Sequence, residues 1–161
     1  MAANRREQVD ADSLFSLRRS LKVKKGGIWR DHTAPVFPGY VFLKSDSLQV
    51  ALVEELRSVP GFLRFLPSND RIQPLAERDE ALVRHFLSFG QVLRRSVVKF
   101  DENNRIRVVT GPLKGLEGQI TKVDRRKSRA RVRLALYQES FDIDFGFEAL
   151  EPAAQPAAGQ P

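Results

Sequence analysis

Residues 108–123 read VVTGPLKGLEGQITKV and hold three glycines within eight positions. How that stretch is read decides the fold of the C-terminal third. A phosphate-binding loop needs G-x-x-x-x-G-K-[ST] between a strand and a helix, so that backbone N–H groups and the helix N-terminus face the phosphates. Here Gly115 is followed by Leu116 and Gly118 by Gln119, and no Lys-Ser or Lys-Thr pair follows. The next residues, QITKV, alternate and are β-branched, which predicts a strand where a helix would have to start. A dinucleotide fingerprint fails on the same count. Gly111, Gly115 and Gly118 are therefore expected to be structural, turning one strand into the next where φ > 0 or close backbone approach is needed.

The stretch that follows, DRRKSRARVRLAL (124–136), starts with a charged turn and enters a strand. Period two places Arg129, Arg131 and Arg133 on one face and Ala130, Val132 and Leu134 on the other. The apolar set packs inward, and the arginines join Arg125, Arg126 and Lys127 in one positive strip. Between Arg105 and Arg133 there are ten Lys or Arg against two acids, whereas from Leu134 onward there are five acids and no basic residue. The whole chain carries +7 with a pI near 10.1. A solvated outer face is the bland reading. Six cations this close repel one another unless an anion neutralises them, and a nucleic-acid backbone is the natural anion. The expected contacts are Arg125, Arg126, Lys127, Arg129 and Arg131, with Lys114 and Lys122 flanking. No aromatic residue lies between Arg105 and Arg133. The expected ligand is therefore a structured RNA read by shape and charge, not a stacked single strand.

The other bounds are simple. A chain of 161 residues makes one ordinary domain or two small ones. With 42% hydrophobic and 29% charged residues it has the composition of a soluble globular protein. There is no cysteine, and the two histidines, His32 and His85, lie far apart, so no metal site and no cofactor is expected. No apolar run approaches the roughly 18 residues of a membrane span. The start, MAANRREQVDADS, lacks an apolar core and does not read as a secretory signal, so a cytoplasmic location is expected. Asp142 and Asp144 share a strand face. Without a histidine or phosphate loop beside them they read as surface charges, not as an acid pair, and no catalytic residue is assigned.

Upstream, RRSLKVKKGGIWRD (18–31) is basic with a turn at Gly26-Gly27. PVFPGYVFLKSD reads as a strand bent at Pro38-Gly39. A helix is expected from Leu48, Leu52, Leu56 and Val59, capped by Asp46 or Ser47 and stopped by Pro60-Gly61. A short strand, FLRFL, follows, and then a second helix with Leu75, Leu82, Phe86 and Phe89 on one face and Gly90 at its end. FDENNR reads as a linker or tight turn. The expected fold class is an α+β unit over residues 1–99, a linker at 100–104, a small all-β barrel at 105–151, and a low-complexity, disordered tail at 152–161.

RIRVVTGPLKGLEGQITKVDRRKSRARVRL resembles a KOW motif, the small SH3-like β-barrel of ribosomal proteins and of the NusG family of transcription elongation factors. PVFPGYVFL is similar to the FPGYV strand of the N-terminal (NGN) domain of that family. ELRSVPGFLRFL and PLAERDEALVRHFL resemble its helix-strand and following helix. A KOW match alone is weak, but an FPGYV strand some sixty residues before it is specific. The basic RRSLKVKKGG and the arginine-rich hairpin resemble LoaP-type paralogues more than the housekeeping factor. One departure stands out: the aromatic first strand of the W-Y-V type is missing. Either the chain starts inside that domain or its sheet is reduced, with an open edge.

The resemblance implies a non-enzymatic elongation or antitermination factor. Its NGN domain would bind the clamp helices of the largest RNA polymerase subunit and suppress pausing and termination. The implied contact is an exposed apolar patch that includes Phe37, Tyr40 and Phe42; each also has a core reading, Phe42 above all. The KOW unit would engage nascent RNA or another nucleic acid, a ribosomal protein or the Rho factor. The rival is a KOW-containing RNA-binding or ribosome-associated protein with no polymerase contact.

Overall fold

The computed structural model describes residues 14–151. The N-terminal signal reading and the tail at 152–161 lie outside the described residues. The basic segment forms a hairpin of β2 (Arg18–Lys25) and β3 (Ile28–Pro35), turning at Gly26-Gly27 and pairing Lys24 with Trp29 and Lys22 with Asp31. β7 (Val92–Leu93) joins β2 in parallel. β1 (Leu14–Phe15) pairs with β4 (Phe42–Leu43), and β5 (Pro67–Ser68) with β6 (Arg71–Ile72). The free side of β3 is a sheet edge among the described residues, and it carries the charges of Arg30 and Asp31. Charges on an edge discourage pairing with another chain.

The second half is a five-stranded sheet in the order β10-β11-β12-β8-β9. Its strands are β8 (Ser96–Phe100), β9 (Ile106–Thr110), β10 (Ile120–Asp124), β11 (Arg129–Leu136) and β12 (Glu139–Ala149). The sheet starts at Ser96, ahead of the boundary expected at 105. The stretch read as a linker or tight turn is the β8–β9 turn, closed by the Asp101 carboxylate, which accepts from the backbone N–H groups of Asn103 and Arg105 at 2.9 Å each.

Two helices form. α2 (Glu77–Leu87) places Glu77, Asp79 and Glu80 in its first turn and Arg84 and His85 in its last, which complements the helix dipole. It buries Val83 and Phe86, while Phe89, expected on the same face, is exposed. α1 (Val50–Arg57) starts at Gln49 with no side-chain cap, so neither Asp46 nor Ser47 serves, and Leu48 and Val59 lie exposed beyond its ends. Phe62–Leu66 is loop, not strand. Phe62 packs on Phe65 at 5.1 Å and the Phe65 N–H donates to Asn69 Oδ1, a local arrangement that leaves no strand partner.

The two expected units share one core. Phe15, Leu17, Phe37, Phe42, Phe86 and Leu93 form a continuous buried cluster with Val98, Leu113, Val132, Leu136, Phe145 and Phe147. Phe86 of α2 stacks on Phe145 of β12 with ring centroids 5.7 Å apart. His85 Nε2 bonds the Pro112 carbonyl at 2.7 Å, and the Tyr137 N–H donates to Asp79 at 3.1 Å. β2 crosses β12 so closely that a Cβ at Gly146 would stand 2.8 Å from the Ser20 carbonyl oxygen.

Candidate nucleic-acid interface

The glycine loop is a turn. Gly111 has φ +108, and a Cβ there would meet the Ser96 Cα and Oγ at 2.7 Å. Ser96, the one buried polar side chain among the described residues, uses that hydroxyl to accept from the Leu113 N–H at 3.0 Å. The loop therefore folds onto its own sheet, and the Leu113, Lys114 and Leu116 N–H groups bond within the chain. Gly115 also has a positive φ, as expected. Gly118 does not: it sits in a short 3-10 turn (Glu117–Gln119) with open space where a side chain would go, so no conformational demand explains it. Lys114 bends back to donate to the Val108 carbonyl at 3.0 Å.

β11 alternates as its sequence dictates, with Ala130, Val132 and Leu134 buried. Its cationic face is not the open strip expected. β12 pairs in register so that Arg131 faces Asp144 and Arg133 faces Asp142. Arg131 Nε and Nη2 reach the two Asp144 oxygens at 2.8 and 3.3 Å, and Arg133 repeats the contact on Asp142 at 3.0 and 3.3 Å. The anions that neutralise these arginines are thus in the chain itself. The arginine bonds hold both carboxyls below the usual range and raise both guanidinium values. Arg129 turns away from the strip. It is half-buried, and its Nη2 donates to the Lys22 carbonyl at 3.1 Å, tying the turn to the N-terminal hairpin.

What stays free is the β10–β11 turn. Arg125, Arg126 and Lys127 are exposed and form no ion pair among the described residues. Arg125 lies 4.1 Å over the Phe100 ring and donates to Asn104 at 2.7 Å, which orients it without discharging it. Lys122, exposed on β10, stands opposite Arg131. Sequence reasoning missed the other half of this surface. The β2–β3 hairpin brings Lys22 and Trp29 into one groove with Arg126, Lys127 and Ser128. The signal was available in the only tryptophan of the chain, set among cations two residues past a Gly-Gly turn.

The aromatic segment is placed differently from expectation. Phe37 is buried at 2% exposure, edge-on to Phe141 of β12 at 5.5 Å, and Phe42 is buried against Phe15 at 5.5 Å. The Pro38-Gly39 turn, with a Tyr40 N–H to Phe37 carbonyl bond of 3.1 Å, breaks the alternation and sends both rings inward. Tyr40 is half-buried and donates its hydroxyl to Glu139 at 3.0 Å; burial and that carboxylate raise its pKa. Val41 is 62% exposed.

A free cationic turn, a paired arginine face and a hairpin locked onto the sheet give the described residues one basic surface. The family model described as "Transcription termination factor nusG" matches residues 4–84, and the KOW motif matches residues 102–133. The chain belongs to the NusG family of transcription factors. It is 27% identical to the transcription termination/antitermination protein NusG of Escherichia coli K12, over 80% of this chain and 71% of that protein. The NusG of Thermus thermophilus is 25% identical over 87% and 79%, and that of Borreliella burgdorferi 22% over 79% and 73%. No helix among the described residues is long and apolar enough to cross a membrane.

Proposed function

We propose that this NusG-family chain is a transcription elongation and antitermination factor that holds RNA polymerase with its N-terminal half and nascent RNA with its basic turn, suppressing pausing and termination. The observation that carries the RNA side is the run Arg125, Arg126 and Lys127, whose side chains form no ion pair among the described residues, beside Arg131 and Arg133, which are paired to Asp144 and Asp142. Lys122 flanks the run, whereas Arg129 and Arg131 serve structure. On the polymerase side, the family contact with the clamp helices falls to the exposed Val41 and the half-buried Tyr40, beside the exposed Pro38-Gly39 turn of the FPGYV segment. Phe37 and Phe42 support that segment from inside.

The test is a titration of RNA across salt concentrations, together with a polymerase pull-down. Replacing Arg125, Arg126 and Lys127 by Gln should lower the log–log salt slope by roughly 0.7 for each lost phosphate contact on a single strand and leave the pull-down intact. Val41→Glu should do the reverse. An unchanged slope in the triple variant sinks the RNA side. Co-purification with ribosomes and not with polymerase favours the rival reading.

A further inference from the structure

Trp29 is 45% exposed and sits directly across the hairpin from Lys24, on the same face as Lys22. The opposite wall of its groove is the cationic turn, with Arg126 and Lys127. This juxtaposition is built by tertiary contacts. Arg129 anchors the Lys22 carbonyl, and Gly146 admits the β2 backbone against β12. The hairpin that carries Trp29 is therefore held beside the cationic turn. Lys24, Arg126 and Lys127 have no ion-pair partner among the described residues; Lys22 is paired with Asp31 at 2.9 Å.

We propose that this groove binds single-stranded RNA, with an unpaired base stacked on Trp29 and the flanking phosphates on Lys24, Arg126 and Lys127. The inference rests on the RNA reading above and replaces the structured RNA expected from the sequence with an unpaired segment. A flat π-face between cations matches a polymer that alternates bases with phosphates. An acidic peptide would satisfy the charges and leave the indole without a partner. A duplex would satisfy the charges too, but it keeps its base faces inside.

Because Trp29 is the only tryptophan, its fluorescence reports the site directly in the full chain. The probes are a twelve-nucleotide oligouridine, the same length of duplex RNA, oligothymidine and a polyglutamate peptide, with affinities read independently by anisotropy of labelled ligand. Oligouridine should quench the indole at saturation, and duplex RNA should bind with little quenching. Trp29→Ala should weaken oligouridine about tenfold, leave duplex affinity unchanged, and melt like the parent. Trp29→Phe should keep most of the affinity. Wild-type oligouridine affinity in Trp29→Ala, or saturation without quenching, overturns the stacking site while leaving the RNA reading in place. Absence of RNA binding by the parent protein overturns both. Quenching by polyglutamate alone makes the groove a protein dock, and tighter binding of oligothymidine than of oligouridine makes DNA the occupant; either result overturns the proposal.

Discussion

Arg131 on β11 and Asp144 on β12 face each other in register and are joined by two hydrogen bonds, at 2.8 and 3.3 Å. Arg133 and Asp142 repeat the arrangement two register positions along, on the same face. The arginine-rich strand thus carries its own counter-charges. Replacing Asp142 and Asp144 by Asn should release both arginines, raise RNA affinity at low salt and steepen the salt slope, because added free cations displace more counterions. Salt titration of the double variant checks this; an unchanged slope would mean that the strand face never meets the ligand.

The same pairs set the acid limb of stability. The arginine bonds depress the Asp144 and Asp142 carboxyls, and backbone N–H donors, from Arg105 first, depress that of Asp101. A carboxyl depressed in the folded state contributes stability that is present above its unfolded value, near 3.9. The contribution disappears as pH falls through the lower folded value. Unfolding midpoints should therefore drop steeply below about pH 4. Asp144→Asn should be less stable than the parent at pH 7 and show a flatter acid limb, measured by thermal melts from pH 7 to pH 2.

Two glycines of one loop should behave in opposite ways. Gly111→Ala places a Cβ 2.7 Å from the Ser96 backbone at a positive φ, which should cost more than the ~1 kcal/mol of an ordinary Gly→Ala strain. Gly118→Ala meets open space at an ordinary φ and should be neutral or slightly stabilising. Chemical denaturation of the two single variants decides it.

The β11–β12 turn is made by Tyr137 and Gln138, at φ +50 and +62, conformations that side-chain-bearing residues adopt at a cost. A turn with both central residues at positive φ favours Asn-Gly. Gln138 is exposed, so Gln138→Gly should stabilise the fold by about 1 kcal/mol. A lowered melting temperature would show that the side chain makes a contact worth more than the strain.

Phe86 is wholly buried between the two halves. Phe86→Ala should cost ~3–5 kcal/mol, and the protein should melt in one transition, since α2 and β12 lose the same ring. Two separated transitions in the parent would mean that the halves fold independently.

Local pattern was enough for much of this molecule. The alternation of RARVRL fixes which side of β11 is core, because strand period is two whatever the partner. Gly26-Gly27 and Gly111 mark turns through backbone conformation alone. The residue order from PVFPGYVFL to the KOW stretch carries the family. Some boundaries escaped, such as the FLRFL loop and the start of α1, because propensity there is overruled by a neighbouring hydrogen bond or by the lack of a sheet partner.

Partnership was decided by tertiary structure alone. Composition counts the cations of the 105–133 stretch, but only the β11–β12 register shows that Asp142 and Asp144 cancel two of them. Period two could not say where Phe37 points, because the Pro38-Gly39 turn resets the phase before Tyr40. Nor could it place Trp29, which approaches Arg126 and Lys127 from nearly a hundred positions away. Periodicity is a property of consecutive residues, whereas charge pairing, burial between halves and a shared groove depend on which distant segments meet.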